Sequence, residues 1–113
     1  MQGDRLDGRL LKQLFGVIES RRGADARTSY TARLFAKGRA KIAKKTGEEA
    51  VEVVVAALAE GRQELAAESA DLLYHLLVLW ASAGIKPRDV WTQLAKREGV
   101  SGLTEKAARR DNG

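Results

Sequence analysis

Apolar residues recur every three to four positions along most of the chain, and strand-like alternation is absent. This period predicts an all-α protein, because it places apolar side chains on one face of each helix. The predicted helices cover residues 6–22, 29–37, 39–60, 63–83 and 87–97. Glycines separate them, and the one proline, Pro87, stands in the first turn of the last helix, where proline is tolerated.

The two central predicted helices, 39–60 and 63–83, are apolar on nearly every side, with valine, alanine and leucine runs at 53–58 and 76–80. Such helices must be covered on every side. We expect them to form an antiparallel hairpin that pairs with a second copy as the four-helix-bundle core of a homodimer. The alternative is that the first and last helices cover the hairpin within one chain.

A length of 113 residues fits one domain, which we expect over residues 1–99, followed by a polar, partly disordered tail over 100–113. The absence of cysteine excludes disulfides and thiolate catalysis. The first residues contain no apolar run, and no stretch approaches the ~20 apolar residues of a membrane span. We therefore expect a cytoplasmic protein without a membrane partner.

The net charge of +5 averages three unlike parts: +8 over residues 1–47, −6 over 48–71 and +3 over 72–113. A basic chain first suggests a nucleic acid, an anionic membrane or a phosphorylated small molecule as partner. Aromatic residues make up only 5%, and the basic run lies beside seven acids, so a nucleic-acid partner is disfavoured. The basic run consists of Arg33, Lys37, Arg39, Lys41, Lys44 and Lys45.

Acidic residues interrupt the most apolar part of the sequence. The acids are Glu48, Glu49 and Glu52 on the first central helix and Glu68 and Asp71 on the second. Counted from the turn at residue 61, Glu49 and Glu52 lie at about the same height as Glu68 and Asp71, roughly 10–18 Å at ~1.5 Å per residue. Antiparallel pairing would bring these two pairs face to face.

Converging carboxylates repel one another unless a cation neutralises them. Oxygen ligands without His or Cys suit a hard ion, Mg²⁺ or Mn²⁺, which can also hold phosphate oxygens. The alternative is a solvated acidic face. The metal site is favoured because unpaired charges are costly among apolar residues and because Arg62 is the only base between residues 48 and 71.

The acidic pattern EEAVE at 48–52, followed by ESAD at 68–71, resembles the EExxE…ExxD signature of the MazG-type all-α NTP pyrophosphohydrolase superfamily. Within it, the segments SYTARL (29–34), GRAKIAKKTGEEA (38–50) and ADLLYHL (70–76) resemble the phosphoribosyl-ATP pyrophosphohydrolase family. The resemblance implies Mg²⁺-dependent hydrolysis of phosphoribosyl-ATP to phosphoribosyl-AMP and pyrophosphate, the second step of histidine biosynthesis, by a cytoplasmic homodimer. The alternatives are an NTP or dNTP pyrophosphohydrolase of the same superfamily and a helical nucleic-acid-binding dimer.

The resemblance also implies roles for single residues. The implied metal ligands are Glu49, Glu52, Glu68 and Asp71. Glu48 and Glu49 are the implied catalytic residues, with Glu48 either a further ligand or the base that orients water. The implied substrate-binding residues are Ser29, Tyr30, Thr31, Arg33, Lys37, Lys41, Lys44 and Lys45. His75, one helical turn after Asp71, either bonds to a ligand carboxylate or is a satisfied core histidine.

Overall fold

A computed structural model describes residues 6–98. Within this range the chain forms helices only, which confirms the all-α prediction. The predicted tail over 100–113 lies outside the described residues. The helices are α1 (Arg9–Ser20), α2 (Tyr30–Lys37), α3 (Arg39–Ala59), α4 (Arg62–Ala83) and α5 (Pro87–Ala95). None of them combines the length and the apolar character that a membrane span requires.

The first helix is shorter than the predicted 6–22. The Asp7 carboxylate accepts a hydrogen bond from the Arg9 backbone N–H at 2.9 Å, so the chain turns before the helix begins. At the other end a turn leads to Gly23, whose φ of 77° favours glycine. The last helix also ends early, at Ala95 rather than at 97.

Short-range signals define α2 and its junction with α3. The Ser29 hydroxyl accepts a hydrogen bond from the Ala32 N–H at 3.1 Å, as predicted for an N-cap. Gly38 separates α2 from α3 with a φ of 91°, which a side chain would make strained. Tyr30 and Lys37 on α2 are thereby placed beside the first turns of α3.

Helices α3 and α4 form the predicted hairpin and share the most extensive helix–helix packing of the described chain. Glu60 and Gly61 connect them, and the Glu64 carboxylate accepts a hydrogen bond from the Gly61 N–H at 3.1 Å. Gly84 ends α4 in the left-handed conformation, and the Ile85 N–H bonds to the Trp80 carbonyl at 2.9 Å. The turn of the hairpin and the end of α4 are therefore both determined by hydrogen bonds between residues close in sequence.

The core lies at the end of the hairpin remote from its turn, where α1 and α2 pack on α3 and α4. Helix α5 reaches the same end through an edge-to-face contact of Trp91 with Trp80, 6.2 Å between ring centres. The buried core residues are Phe15, Ile18, Leu34, Ile42, Leu77, Val78 and Ala81.

The part of the hairpin nearer its turn is uncovered in the single chain. Leu58 is 83% exposed and Val51 59% exposed, and large apolar side chains in such numbers are unusual on a free surface. The first and last helices thus cover one end of the hairpin and leave the other bare. The exposed apolar face consists of Val51, Val54, Val55, Leu58 and Leu73.

Candidate active site: a carboxylate cluster beside a lysine groove

The antiparallel hairpin brings three of the predicted acids together. Glu49 of α3 faces Glu68 and Asp71 of α4, and one carboxylate oxygen from each lies within 4.8 Å of the others. We call these three residues the carboxylate cluster. The two α4 members are three positions apart, so they project from one face of that helix.

The cluster is electrostatically unfavourable without a cation. Burial raises the pKa of the Glu68 carboxyl, and the neighbouring charges of Asp71, Glu52 and Glu49 raise it further. An oxygen-only set of three converging carboxylates is the donor chemistry that Mg²⁺ or Mn²⁺ prefers. The residues present therefore fit a hard divalent ion.

The two remaining acids stand at the margin of the cluster. Glu52 is exposed and lies outside the group of three, yet it is near enough for its charge to raise the pKa of Glu68. The Glu48 side chain is 53% exposed, whereas that of Glu49 is only 12% exposed. Glu48 lies with the basic side chains described next, whereas Glu49 lies with Glu68 and Asp71. The two neighbouring acids of α3 therefore face different surroundings.

A solvent-open groove of about 350 Å³ runs between α2 and the start of α3. Four predicted basic residues converge there, and Tyr30 and Leu34 provide its less polar wall. We call this feature the lysine groove. Its lining residues are Tyr30, Leu34, Lys37, Lys41, Lys44, Lys45 and Glu48.

Lys45 connects the groove to the cluster. Its Nζ lies 3.6 Å from a Glu49 carboxylate oxygen and 3.8 Å from one of Glu48. The Glu49 charge raises the pKa of Lys45, so the ammonium form is stabilised. A lysine that lines the groove thus also pairs with a member of the carboxylate cluster.

Three predicted substrate-binding residues do not line the groove. The Arg33 Nε donates to the Ala26 carbonyl at 3.2 Å, in the loop before α2. Ser29 caps α2, and buried Thr31 pairs its hydroxyl with that of Tyr74. The structure therefore brings together the tyrosine and the four lysines of the predicted set.

His75 is buried and fully hydrogen-bonded. Its Nδ1 donates to the backbone carbonyl of Asp71 at 2.8 Å, and Tyr30 Oη lies 3.2 Å from its Nε2. The prediction of a satisfied core histidine is confirmed, and that of a bond to a ligand carboxylate is wrong. The hydrogen bonds of Tyr30 with His75 and of Thr31 with Tyr74 were not predicted from the sequence. Their partners lie 45 and 43 positions apart, and helical spacing predicts only contacts between near neighbours.

An all-α hairpin with a carboxylate cluster beside a cationic groove could hold a cation and a polyphosphate side by side. This arrangement is the one expected for the class of all-α pyrophosphohydrolases that the sequence resembles.

Sequence comparisons agree with that class. Residues 11–98 match the family described as phosphoribosyl-ATP pyrophosphohydrolase. A phosphoribosyl-ATP pyrophosphatase of Paramagnetospirillum magneticum is 61% identical over 103 residues, 91% of this chain and 94% of the relative. One of Azospirillum brasilense is 54% identical over 110 residues, 97% of this chain and 99% of the relative. The chain belongs to the phosphoribosyl-ATP pyrophosphohydrolase family.

Proposed function

We propose that this chain hydrolyses phosphoribosyl-ATP to phosphoribosyl-AMP and pyrophosphate in histidine biosynthesis, with Mg²⁺ bound at the carboxylate cluster. The observation that carries the proposal is the cluster of Glu49, Glu68 and Asp71, within 4.8 Å of one another and joined by Lys45 to a groove of lysines. The names of the two relatives described above and the family membership support the substrate.

Glu49, Glu68 and Asp71 would hold the metal, with Glu52 as a fourth ligand from the margin of the cluster. When bound, Mg²⁺ polarises phosphate oxygens and makes a water a better nucleophile. Mn²⁺ suits the same oxygen ligands. The protein itself supplies fixed carboxylates on two packed helices, so the ligand spacing is set before the ion arrives.

The groove lysines would neutralise the phosphate chain and orient it toward the cluster. Glu48, an exposed residue of the groove lining, would accept a proton from the attacking water. The water oxygen bonds to phosphorus, the anhydride bond to pyrophosphate breaks, and the proton passes through Glu48 to solvent. The Lys45 ammonium lies 3.8 Å from a Glu48 carboxylate oxygen and would hold that carboxylate at the groove.

The decisive experiment measures pyrophosphate release from phosphoribosyl-ATP and Mg²⁺. Glu49→Gln and Asp71→Asn should each lower the rate at least about 100-fold, because even outer partners of metal ligands are worth about 10–100-fold. Glu64→Gln is the matched control, since Gln can still accept the Gly61 N–H outside the cluster. No release by the wild type, or full activity in Asp71→Asn, overturns the proposal.

Substrate class is tested in the same assay with ATP and dUTP in place of phosphoribosyl-ATP. We expect the highest kcat/KM for phosphoribosyl-ATP. A preference for ATP or dUTP would instead assign the chain to NTP or dNTP clearance.

We further propose that the chain acts as a cytoplasmic homodimer built on one domain over residues 1–99, with the exposed apolar face as the interface. Val51, Val54 and Leu58 of α3 form a stripe that a second hairpin could cover. Leu58→Glu should shift the sedimentation coefficient from dimer toward monomer. Leu94→Glu, on an exposed apolar residue of α5, is the control that should leave the dimer intact.

A further inference from the structure

Tyr30 occupies the boundary between the lysine groove and the protein interior. It is the first residue of α2 and is 44% exposed, so one side of its ring faces the groove. Its hydroxyl points the other way, to His75 of α4, which is only 5% exposed. The groove wall is therefore anchored to a buried side chain.

The hydrogen-bond roles follow from the partners. A backbone carbonyl can only accept, so the Asp71 carbonyl places a proton on His75 Nδ1 at 2.8 Å. This tautomer leaves Nε2 as an acceptor, to which the Tyr30 hydroxyl, 3.2 Å away, can donate. The Tyr74 ring meets His75 edge-on, 5.2 Å between centres, and restricts its rotation. His75 thus presents one fixed acceptor to Tyr30.

We infer that His75 is a positioning residue that acts through Tyr30, fixing the tyrosine ring as the wall that aligns the phosphate chain with the carboxylate cluster. The inference rests on the proposed function. Because Asp71 is a cluster member and His75 bonds to its carbonyl, the Tyr30 hydroxyl is linked by two hydrogen bonds to α4, the helix that carries two of the three cluster residues. This link fixes the Tyr30 ring relative to those two carboxylates.

An adjacent pair provides a matched control. Thr31 and Tyr74, each next in sequence to a member of the Tyr30–His75 pair, also share a hydrogen bond between α2 and α4. Tyr74 does not line the groove. Tyr74→Phe therefore removes one hydroxyl and one bond between the same two helices, as Tyr30→Phe does, without touching the groove wall.

The experiment is a double-mutant cycle of Tyr30→Phe and His75→Asn, with kcat and KM for phosphoribosyl-ATP measured separately. Asn at position 75 can place its amide NH₂ near the Nδ1 position to donate to the Asp71 carbonyl, and it leaves no atom at the Nε2 position to accept from Tyr30. Each single variant should raise KM about 2- to 10-fold, the range for one hydrogen bond, with kcat nearly unchanged. The double variant should resemble the singles, because both changes break one link.

Tyr74→Phe should lower the melting temperature but leave KM as in the wild type. The inference is overturned if Tyr30→Phe leaves KM unchanged, if Tyr74→Phe raises KM equally, or if the two changes of the cycle are additive. The measurements presuppose that the wild type releases pyrophosphate from phosphoribosyl-ATP. A wild type without that activity contradicts the proposed function, whereas an active wild type with an unaffected Tyr30→Phe contradicts only this inference.

Discussion

The carboxylate cluster and the lysine groove share α3 but are assembled in different ways. The groove comes from one continuous stretch, residues 30–48, through α2 and the first turns of α3. The cluster joins Glu49 to acids about 20 positions away on the other arm of the hairpin. A cationic groove can thus be formed largely by local sequence, whereas a metal-type cluster depends on how two helices are aligned.

The two regions also differ in electrostatic balance. The groove opens to solvent and contains Glu48 among its four lysines, so its charges are partly compensated and hydrated. The cluster concentrates like charge where burial already disfavours ionisation of Glu68. Variants of the cluster should therefore change both stability and catalysis, while variants of the groove should change mainly substrate affinity.

The largest effect is expected for Glu68→Gln, which removes the charge of one proposed metal ligand from the cluster. We expect a loss of pyrophosphate release of at least about 100-fold, by the same reasoning as for the other ligands. The metal-free variant should nevertheless melt at a higher temperature than the wild type at neutral pH. A raised folded pKa means that the stability contributed by the protonated carboxyl is lost as pH rises through that pKa, and Gln avoids the loss.

Thermal unfolding with a chelator and then with Mg²⁺ checks both parts of this prediction. Mg²⁺ at 100 times its Kd should stabilise the wild type by about 2.7 kcal/mol and Glu68→Gln by less. Retained activity, or a lower melting temperature without metal, would contradict the prediction that the Glu68 charge supports catalysis and lowers stability.

The next effect concerns the groove alone. Replacing Lys41 and Lys44 together by Gln should raise KM about 10-fold, because contacts between ammonium and phosphate are charge-assisted but exposed to solvent. kcat should change little, since the cluster is intact. Lys96→Gln, an exposed lysine after α5, is the control. A fall in kcat equal to the rise in KM would show that the groove does more than bind.

Lys45→Gln tests a side chain that lines the groove and contacts the cluster. Without this ammonium, Glu49 loses a competing cation, so Mg²⁺ should bind about 2- to 5-fold more tightly in the absence of substrate, the range for one ion pair that solvent still reaches through the lysine. KM should rise at the same time. Calorimetric titration with Mg²⁺ measures the first effect. Lys44 is the control, because it does not pair with Glu49, so Lys44→Gln should change Mg²⁺ affinity less. Equal changes in the two variants would show that the Lys45–Glu49 contact does not affect Mg²⁺ binding.

The smallest effect is expected for the cap of α2. Ser29→Ala should lower the free energy of unfolding by about 1 kcal/mol, because the Ala32 N–H loses its acceptor. Ser29→Asn should restore stability, since Asn also caps well. Denaturant unfolding of both variants measures this. KM for phosphoribosyl-ATP can be measured for the same two variants. If Ser29→Asn is as stable as the wild type but has a higher KM, Ser29 also has the substrate contact that the family resemblance implies.

Much of the fold was predictable because helix signals act over short distances. Ser29, Gly38 and Gly84 mark helix ends where they were expected, through a cap bond or a left-handed backbone. The first helix was predicted too long because the Asp7 side chain competes with the helix for the Arg9 N–H. The spacing of apolar residues contains no information about that hydrogen bond, so it could not predict the later start of the helix.

In the candidate site, too, some features could be predicted from the sequence and others could not. Helical spacing and equal heights predicted that Glu49, Glu68 and Asp71 would face each other, and they do. Spacing could not distinguish these three from Glu48 and Glu52, because a rotation of α3 by part of a turn exchanges which acids point inward. The bond from His75 to a backbone carbonyl, and its contact with Tyr30, likewise had no local signal.

The amino-acid sequence alone determined an all-helical chain, its two long central helices, and the segregation of base and acid along it, because period, capping and composition are local properties. Tertiary structure decided which acids converge, which lysine touches them and which apolar face is left uncovered. The reason is that helix rotation and register are set by the packing of Ile42 in one core with Leu77 and Val78, which lie far from it in sequence.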